Sequence, residues 1–251
     1  MVITAIANQK GGVAKTTSTI AVGGLLAERT NCLVIDLDPQ ANLTTGLGIQ
    51  LSKGQLTAYE VLMGQAALQD AVIRTPYNLS LLPSDVTLAQ AERQLQSQNG
   101  RFLILRELLR QAQLEFDYIL IDCPPSLGLL TANALVAADS LLIPVQCQFF
   151  ALKGLEALLK NVQIVREKLN PQLRMVGVLP TMAEPQTLMT QNTLLALKEK
   201  VQAIPVFSPV PKSVKFPESN LAGKPIHLYA REWRLLQPYR EVVKALTLLD
   251  Q

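Results

Sequence analysis

The feature that most narrows what this chain can fold into is a set of short Val-, Ile- and Leu-rich runs, spaced by segments of helical period. The runs fall at residues 2–8, 32–37, 79–83, 117–122, 140–145 and 174–180, with a shorter one at 204–207. A strand that is apolar on both of its alternating sides needs cover on both faces, which is the pattern of a largely parallel sheet. Between the runs, residues 15–29, 57–64, 85–97, 101–113, 128–138, 151–169, 187–202 and 232–249 carry helix-like patterns. This alternation predicts an α/β fold, a doubly wound and mostly parallel sheet with helices on both faces. The 251 residues, 49% of them hydrophobic, suffice for one core, and no Pro-, Gly- or Ser-rich linker divides them. Residues 1–251 therefore read as one domain, whose ligands would collect at the carboxyl ends of the strands.

The first such end is the most informative. Run 2–8 ends at Asn8, and Gln9-Lys10-Gly11-Gly12-Val13-Ala14-Lys15-Thr16-Thr17 leads into a helix. Glycines let successive backbone N–H groups curl around an anion, and the helix start adds its positive end. Lys15 supplies a mobile cation for the β- and γ-phosphates of ATP. The Thr16 hydroxyl suits Mg²⁺, and Thr17 can reach the α-phosphate. A ligand-free Gly-rich turn would need none of the Lys-Thr-Thr run. The strict pattern Gly-x4-Gly-Lys-[Ser/Thr] is not met, because Gln9 and Ala14 stand where its glycines would fall. Ala14 is expected to open the helix with a negative φ, where alanine is unstrained.

Carboxylates sit at two further strand ends. In Asp36-Leu37-Asp38-Pro39-Gln40, period-two alternation puts Asp36 and Asp38 on one side, and Pro39 stops the strand. A carboxylate beside a γ-phosphate can orient the attacking water. Tyr118-Ile119-Leu120-Ile121-Asp122 is an apolar strand ending in Asp, a position suited to holding Mg²⁺ through water. Cys123-Pro124-Pro125-Ser126 follows as a stiff turn.

Residues 10–17 resemble the deviant Walker A motif of the ParA/MinD family of P-loop ATPases, in which a second lysine opens the loop; Lys10 stands there. The resemblance implies that Lys10 reaches across a dimer interface to the partner's ATP. It also implies that Asp38 is needed for hydrolysis, that Asp36 lies nearer the metal, and that the turn after Asp122 is a switch. Ala58–Gly64, Leu81–Asp85 and Gly177–Met182 are similar to segments of the Soj-like ParA branch. Pro209-Val210-Pro211-Lys212-Ser213-Val214-Lys215 sits where that branch has a segment lying against adenine, which places Pro211 at the base; lysines replace its two arginines. The family cycle implied is an ATP-dependent homodimer that binds DNA without sequence specificity. An adaptor of the ParB or McdB kind then stimulates hydrolysis. The cargo would be a plasmid or chromosome partition complex, or a protein compartment such as a carboxysome, as with McdA-type proteins.

Charge is uneven in a way that suits this reading. Residues 1–149 carry nine Lys/Arg against twelve Asp/Glu, and residues 150–251 carry fourteen against eight. Lys198, Lys200, Lys212, Lys215, Lys224, Arg231 and Arg234 are candidate DNA contacts, though any one alone reads as a solvated surface residue. Cys32, Cys123 and Cys147 are too dispersed for a metal site and read as reduced thiols, and His227, the sole histidine, reads as an ordinary packed residue. No secretory signal or membrane-spanning run is evident, so the expected location is cytoplasmic and nucleoid-associated. The amphipathic end, Tyr239 to Asp250, leaves a MinD-like membrane-binding ATPase as the alternative, but two basic residues against two acidic favour packing on the sheet. Metabolic relatives are further alternatives: a nitrogenase-type iron protein would need clustered cysteines, and a cobyrinate-type amidoligase would need substrate-dependent turnover.

Overall fold

The computed structural model describes residues 1–112, 114–148 and 151–249. Gln113, which ends the predicted 101–113 helix, and Asp250, at the amphipathic end, lie outside the described residues. Chain order is β1 (Val2–Ile6), α1 (Lys15–Leu26), β2 (Cys32–Asp36), α2 (Asn42–Gly46), α3 (Ala58–Leu62), α4 (Leu68–Ala71), β3 (Ile73–Arg74), β4 (Leu79–Leu82), α5 (Leu88–Leu95) and α6 (Ile104–Gln111). Then come β5 (Tyr118–Asp122), α7 (Leu129–Ala137), β6 (Ser140–Gln146), α8 (Ala151–Lys168), β7 (Arg174–Thr181), α9 (Leu188–Lys200), α10 (Lys215–Leu221), α11 (Ile226–Tyr229) and α12 (Trp233–Leu249).

Among the described residues the strands form a seven-stranded sheet in the order β3-β4-β2-β5-β1-β6-β7. Every pairing is parallel except β3 with β4. The six long apolar runs are strands, as their two-sided hydrophobicity requires. The alternation of side chains divides the core into two clusters, one per face. Ile3, Ala5, Leu33, Ile35, Ile119 and Ile121 join one cluster with helices α3, α5, α6, α7 and α8. Val2, Ile6, Val34, Leu79, Leu81 and Leu120 join the other with α1, α2 and α12.

Departures from the sequence reading have local causes. Residues 204–207 make a single bridge, Val178 with Val206, rather than a strand. Pro205 has no N–H to give the ladder. It contributes only its carbonyl, which accepts from Val178 N at 2.8 Å, before Phe207 N returns to Val178 O at 3.0 Å. Gly177 permits this approach, since a Cβ there would lie 2.8 Å from the Pro205 carbonyl oxygen. The short elements β3, α2, α4, α10 and α11 were not anticipated, because two to seven residues carry too little periodicity to register.

The amphipathic end packs inside the fold. Leu235, Leu236, Tyr239, Val242 and Leu246 of α12 are buried in the same cluster as α1. Among the described residues no helix is long and apolar enough to cross a membrane. His227 is buried as well, against Gly24 of α1, with Nε2 3.9 Å from a carboxylate oxygen of Glu28. Gly177→Ala should cost about 1–3 kcal/mol of stability, because the new methyl would meet both the Phe207 ring, at 2.5 Å, and the Pro205 carbonyl oxygen, at 2.8 Å. Urea unfolding checks this, and an unchanged midpoint would refute the role given to the glycine.

Candidate active site

The carboxyl ends of β1, β2 and β5 lie side by side, with Ile6 in register with Asp122 and Asp36 in register with Asp122. The loop from β1 to α1 is pinned from β6 and β7. Asn8 Nδ2 donates to the Pro144 carbonyl at 2.7 Å, and Asn8 Oδ1 accepts from Lys10 N at 3.0 Å. From β7, the Thr181 hydroxyl donates to the Val13 carbonyl at 3.1 Å. Lys15 is buried, and its Nζ donates to the Lys10 carbonyl at 3.3 Å, drawing the loop around its own ammonium group. Neither Asn8 nor Thr181 was singled out from sequence, since each acts through a partner more than a hundred residues away.

Ala14 departs from expectation. Its φ is 65° and its ψ 33°, the left-handed region, not the negative φ that alanine prefers. The path through Gly11 and Gly12 delivers the chain to α1 in a geometry that suits glycine at this position, with Ser18 N donating to the Ala14 carbonyl as the first helical bond.

The carboxylates divide their work. Asp122 Oδ2 accepts from the Thr16 hydroxyl at 2.7 Å, and its Oδ1 accepts from Thr19 Oγ1 at 3.3 Å. Burial pushes its pKa up to about 8, with the charge of Asp36 adding to the rise, while Thr16 and Lys15 oppose it. Asp36 is instead engaged by protein donors: Thr44 N at 2.9 Å and Thr44 Oγ1 at 2.8 Å on Oδ2, and Asp38 N at 3.1 Å on Oδ1. Burial raises its pKa to about 6. Asp122, rather than Asp36, therefore stands next to Thr16. Burial also holds Lys15 below its ordinary range, opposed by the charge of Asp122. Among the described residues no group of three or more His, Cys, Asp or Glu could hold a metal. The hard oxygens of Thr16 and Asp122 fit Mg²⁺ as a partly hydrated, phosphate-bound ion instead.

A cleft of about 690 Å³ opens over this cluster, and Gly11, Gly12, Ala14, Lys15, Thr16, Thr17 and Asp38 line it. Pro125 faces them from the turn after β5. A second cavity of about 400 Å³ adjoins it, lined mostly by apolar groups that include Met182, Val210, Pro211, Phe216 and Tyr239. The two share Ala14, Thr17, Met182, Pro217 and Asn220. The loop and Pro211, nearly two hundred residues apart in sequence, thus line one continuous site, polar at one end and apolar at the other. Lys10, which precedes the cleft-lining Gly11, is half-buried, with Nζ donating to Gln148 Oε1 at 2.9 Å. Cys32, Cys123 and Cys147 are free and buried, with their thiols pushed up by burial. Ala14→Gly should stabilise the protein by about 1 kcal/mol, because glycine adopts the left-handed region without the methyl clash. Chemical denaturation measures it, and loss of stability would contradict the strain described here.

A family model described as an AAA domain matches residues 1–175. Sporulation initiation inhibitor protein Soj of Bacillus subtilis is 40% identical over 244 residues, covering 96% of this chain and 96% of its own. Chromosome partitioning protein ParA of Caulobacter vibrioides is 39% identical over 248 residues, covering 96% and 92%. Apo McdA of Cyanothece has a similar structure, with a TM-score of 0.92 at 28% identity over 98% of this chain and 99% of that one. Cobyrinic acid a,c-diamide synthase of Mycobacterium smegmatis with bound ADP and magnesium gives 0.86 at 35% identity over 98% and 94%. With the family model matching residues 1–175 and relatives about 40% identical over nearly their whole length, the chain belongs to the ParA/MinD family of P-loop ATPases.

Proposed function

We propose that this chain hydrolyses ATP with Mg²⁺ in the cleft beside Lys15 and uses the nucleotide to control its own dimerisation on DNA, thereby positioning a cargo. The observation that carries the reading is the convergence of Lys15, Thr16 and Asp38 on one cleft, with Asp122 bonded to Thr16. Gly11 to Thr17 would cradle the phosphates, Thr16 and Asp122 would hold the metal, and Pro211 would border the base. Asp36 supports Asp38 from behind by accepting its N–H. When bound, Mg²⁺ neutralises charge on the phosphates. Asp38 orients water for attack, which is most of what phosphoryl transfer asks of a protein.

Lys10 is the proposed trans-acting group. Its bond to Gln148 is exposed, so it can be released at little cost. Four of the seven basic candidates for DNA contact already hold carboxylates: Lys212 with Glu184 at 2.6 Å, Lys200 with Glu156 at 2.6 Å, Lys215 with Glu218 at 3.0 Å and Arg234 with Glu232 at 3.1 Å. Exposed pairs of this kind are worth about 0–1 kcal/mol, so a DNA phosphate can replace them. Lys198, Lys224 and Arg231 are exposed. Each phosphate contact contributes about 0.9 to the salt slope, so a dimer gains much more than a monomer from one modest patch.

The likeness to a chromosome partitioning ParA supports a partition complex as cargo; an adaptor of the ParB or McdB kind that stimulates turnover, residence on the nucleoid and a protein compartment as an alternative cargo complete the proposed cycle. The likeness to cobyrinic acid a,c-diamide synthase makes a metabolic role the second reading. ATP turnover that required added cobyrinic acid and glutamine would establish that role in place of positioning.

Asp38→Ala should retain ATP and Mg²⁺ while phosphate release falls about 100-fold or more. Nucleotide binding and phosphate release measured on one preparation check this, and wild-type turnover would remove Asp38 from the reaction. Lys10→Ala should bind ATP yet stay monomeric under conditions where the wild type dimerises. Light scattering with ATP reads this out, and a normal dimer would refute the trans role.

A further inference from the structure

The loop that carries Asp38 follows β2, the turn that carries Pro125 follows the adjacent β5, and both line the cleft; one short segment, residues 84–92, is bonded to the first and to Leu129, directly after the second. At its first end, Ser84 is fully buried. Its N–H donates to Thr44 Oγ1 at 3.0 Å, and its hydroxyl donates to the Asp38 carbonyl at 2.9 Å. Thr44 passes the contact on to Asp36, which accepts its hydroxyl and also receives Asp38 N–H. The loop from Asp36 to Thr44 is thereby wrapped around Ser84, with Thr44 and Asp36 as buried as Ser84 itself. None of these groups has water to fall back on, so the arrangement holds only as a unit.

Eight residues later the same segment reaches the other loop. Leu88, Ala91 and Leu95 bury one side of α5 in the core, which fixes the helix. Beside them, Glu92 Oε1 accepts from Leu129 N at 2.8 Å. Leu129 opens α7 directly after the 123–128 turn, and its N-cap residue, Gly128, has no side chain with which to cap the helix. Glu92 supplies that cap from another element, and Gly128 makes room for it, since a Cβ there would run into the Glu92 carboxylate. A negative group at a helix start is also favoured by the helix dipole.

We infer that Ser84 and Glu92 are positioning residues, and that residues 84–92 act as a strut coupling the Asp38 loop to the 123–128 turn. Ser84 sets the backbone from which Asp38 projects, and Glu92 sets the end of the turn that bears Pro125. A shift of either loop is transmitted to the other through α5. This inference rests on the hydrolytic reading of the cleft for its effect on rate, though not for the mechanical link.

Three variants test it on the full chain. Ser84→Ala should lower single-turnover ATP hydrolysis by about 10- to 100-fold through misplacement of Asp38, with ATP affinity within about twofold of wild type. Glu92→Ala should also slow turnover, and Glu92→Gln, which keeps an acceptor oxygen, should restore it. The deciding readout needs no catalysis: in Glu92→Ala, hydrogen exchange should quicken at residues 38–44, across the strut from the substitution, as well as at 128–131. Exchange that quickens only at 128–131 would overturn the coupling, and so would Ser84→Ala and Glu92→Ala rate losses that multiply in the double variant. Should Ser84→Ala fail to fold, the two Glu92 variants still decide. Asp38→Ala is the control: normal turnover there refutes the active-site reading, whereas an inactive Asp38→Ala beside a normal Ser84→Ala refutes the strut alone.

Discussion

The charge cluster at the carboxyl ends of β1, β2 and β5 sets the terms for everything around it. Two adjacent parallel strands bring Asp36 and Asp122 side by side out of water, where both carboxylates resist ionisation. Lys15 enters the same space with its own burial penalty. Such a cluster is stable only if every member finds donors or acceptors, and the surrounding hydrogen bonds from Thr16, Thr19, Thr44 and Asp38 provide them. A further cation beside Asp122 would offset the burial penalty on its charge.

The loop around Lys15 shows how tightly the rest must conform to that cluster. Its path is held by Asn8, Thr181 and Lys15 itself, and Ala14 accepts a left-handed conformation to complete it. Backbone strain of this kind costs about 1–3 kcal/mol and survives only where surrounding contacts outweigh it. The apolar end of the site is assembled from far along the chain. Residues 205–210 follow the upper half of β7, and that contact carries Pro211 to the cavity shared with the loop. The final helix closes this face by burying Tyr239 and its apolar neighbours.

Much of the site was legible because phosphate chemistry demands particular residues at particular strand ends. Lys15, Thr16 and Asp38 line the expected cleft, Asp122 bonds to Thr16, and Pro211 borders the neighbouring cavity. Asp36 was misread in emphasis: alternation put it on the right side, but three protein donors engage its carboxylate. Ala14 was misread in conformation, since its φ follows from the loop's closure and not from its own preference. Thr44 and Glu92 were invisible, and Ser84 stood out only as part of Leu81–Asp85, because all three are ordinary polar residues whose meaning lies in partners 8 to 46 residues away.

Sequence by itself determined the layered α/β plan and the identity of the loop residues that line the cleft. Two-sided apolar runs can be satisfied only by a covered parallel sheet, and a Gly-Gly turn before Lys-Thr-Thr at a strand end can be read locally. Tertiary structure alone decided which groups stand behind those residues. Loop path, carboxylate pairing and the bonds made by residues 84–92 depend on distances between segments remote in the chain, and buried polar groups accept only partners that the folded geometry brings within hydrogen-bond reach.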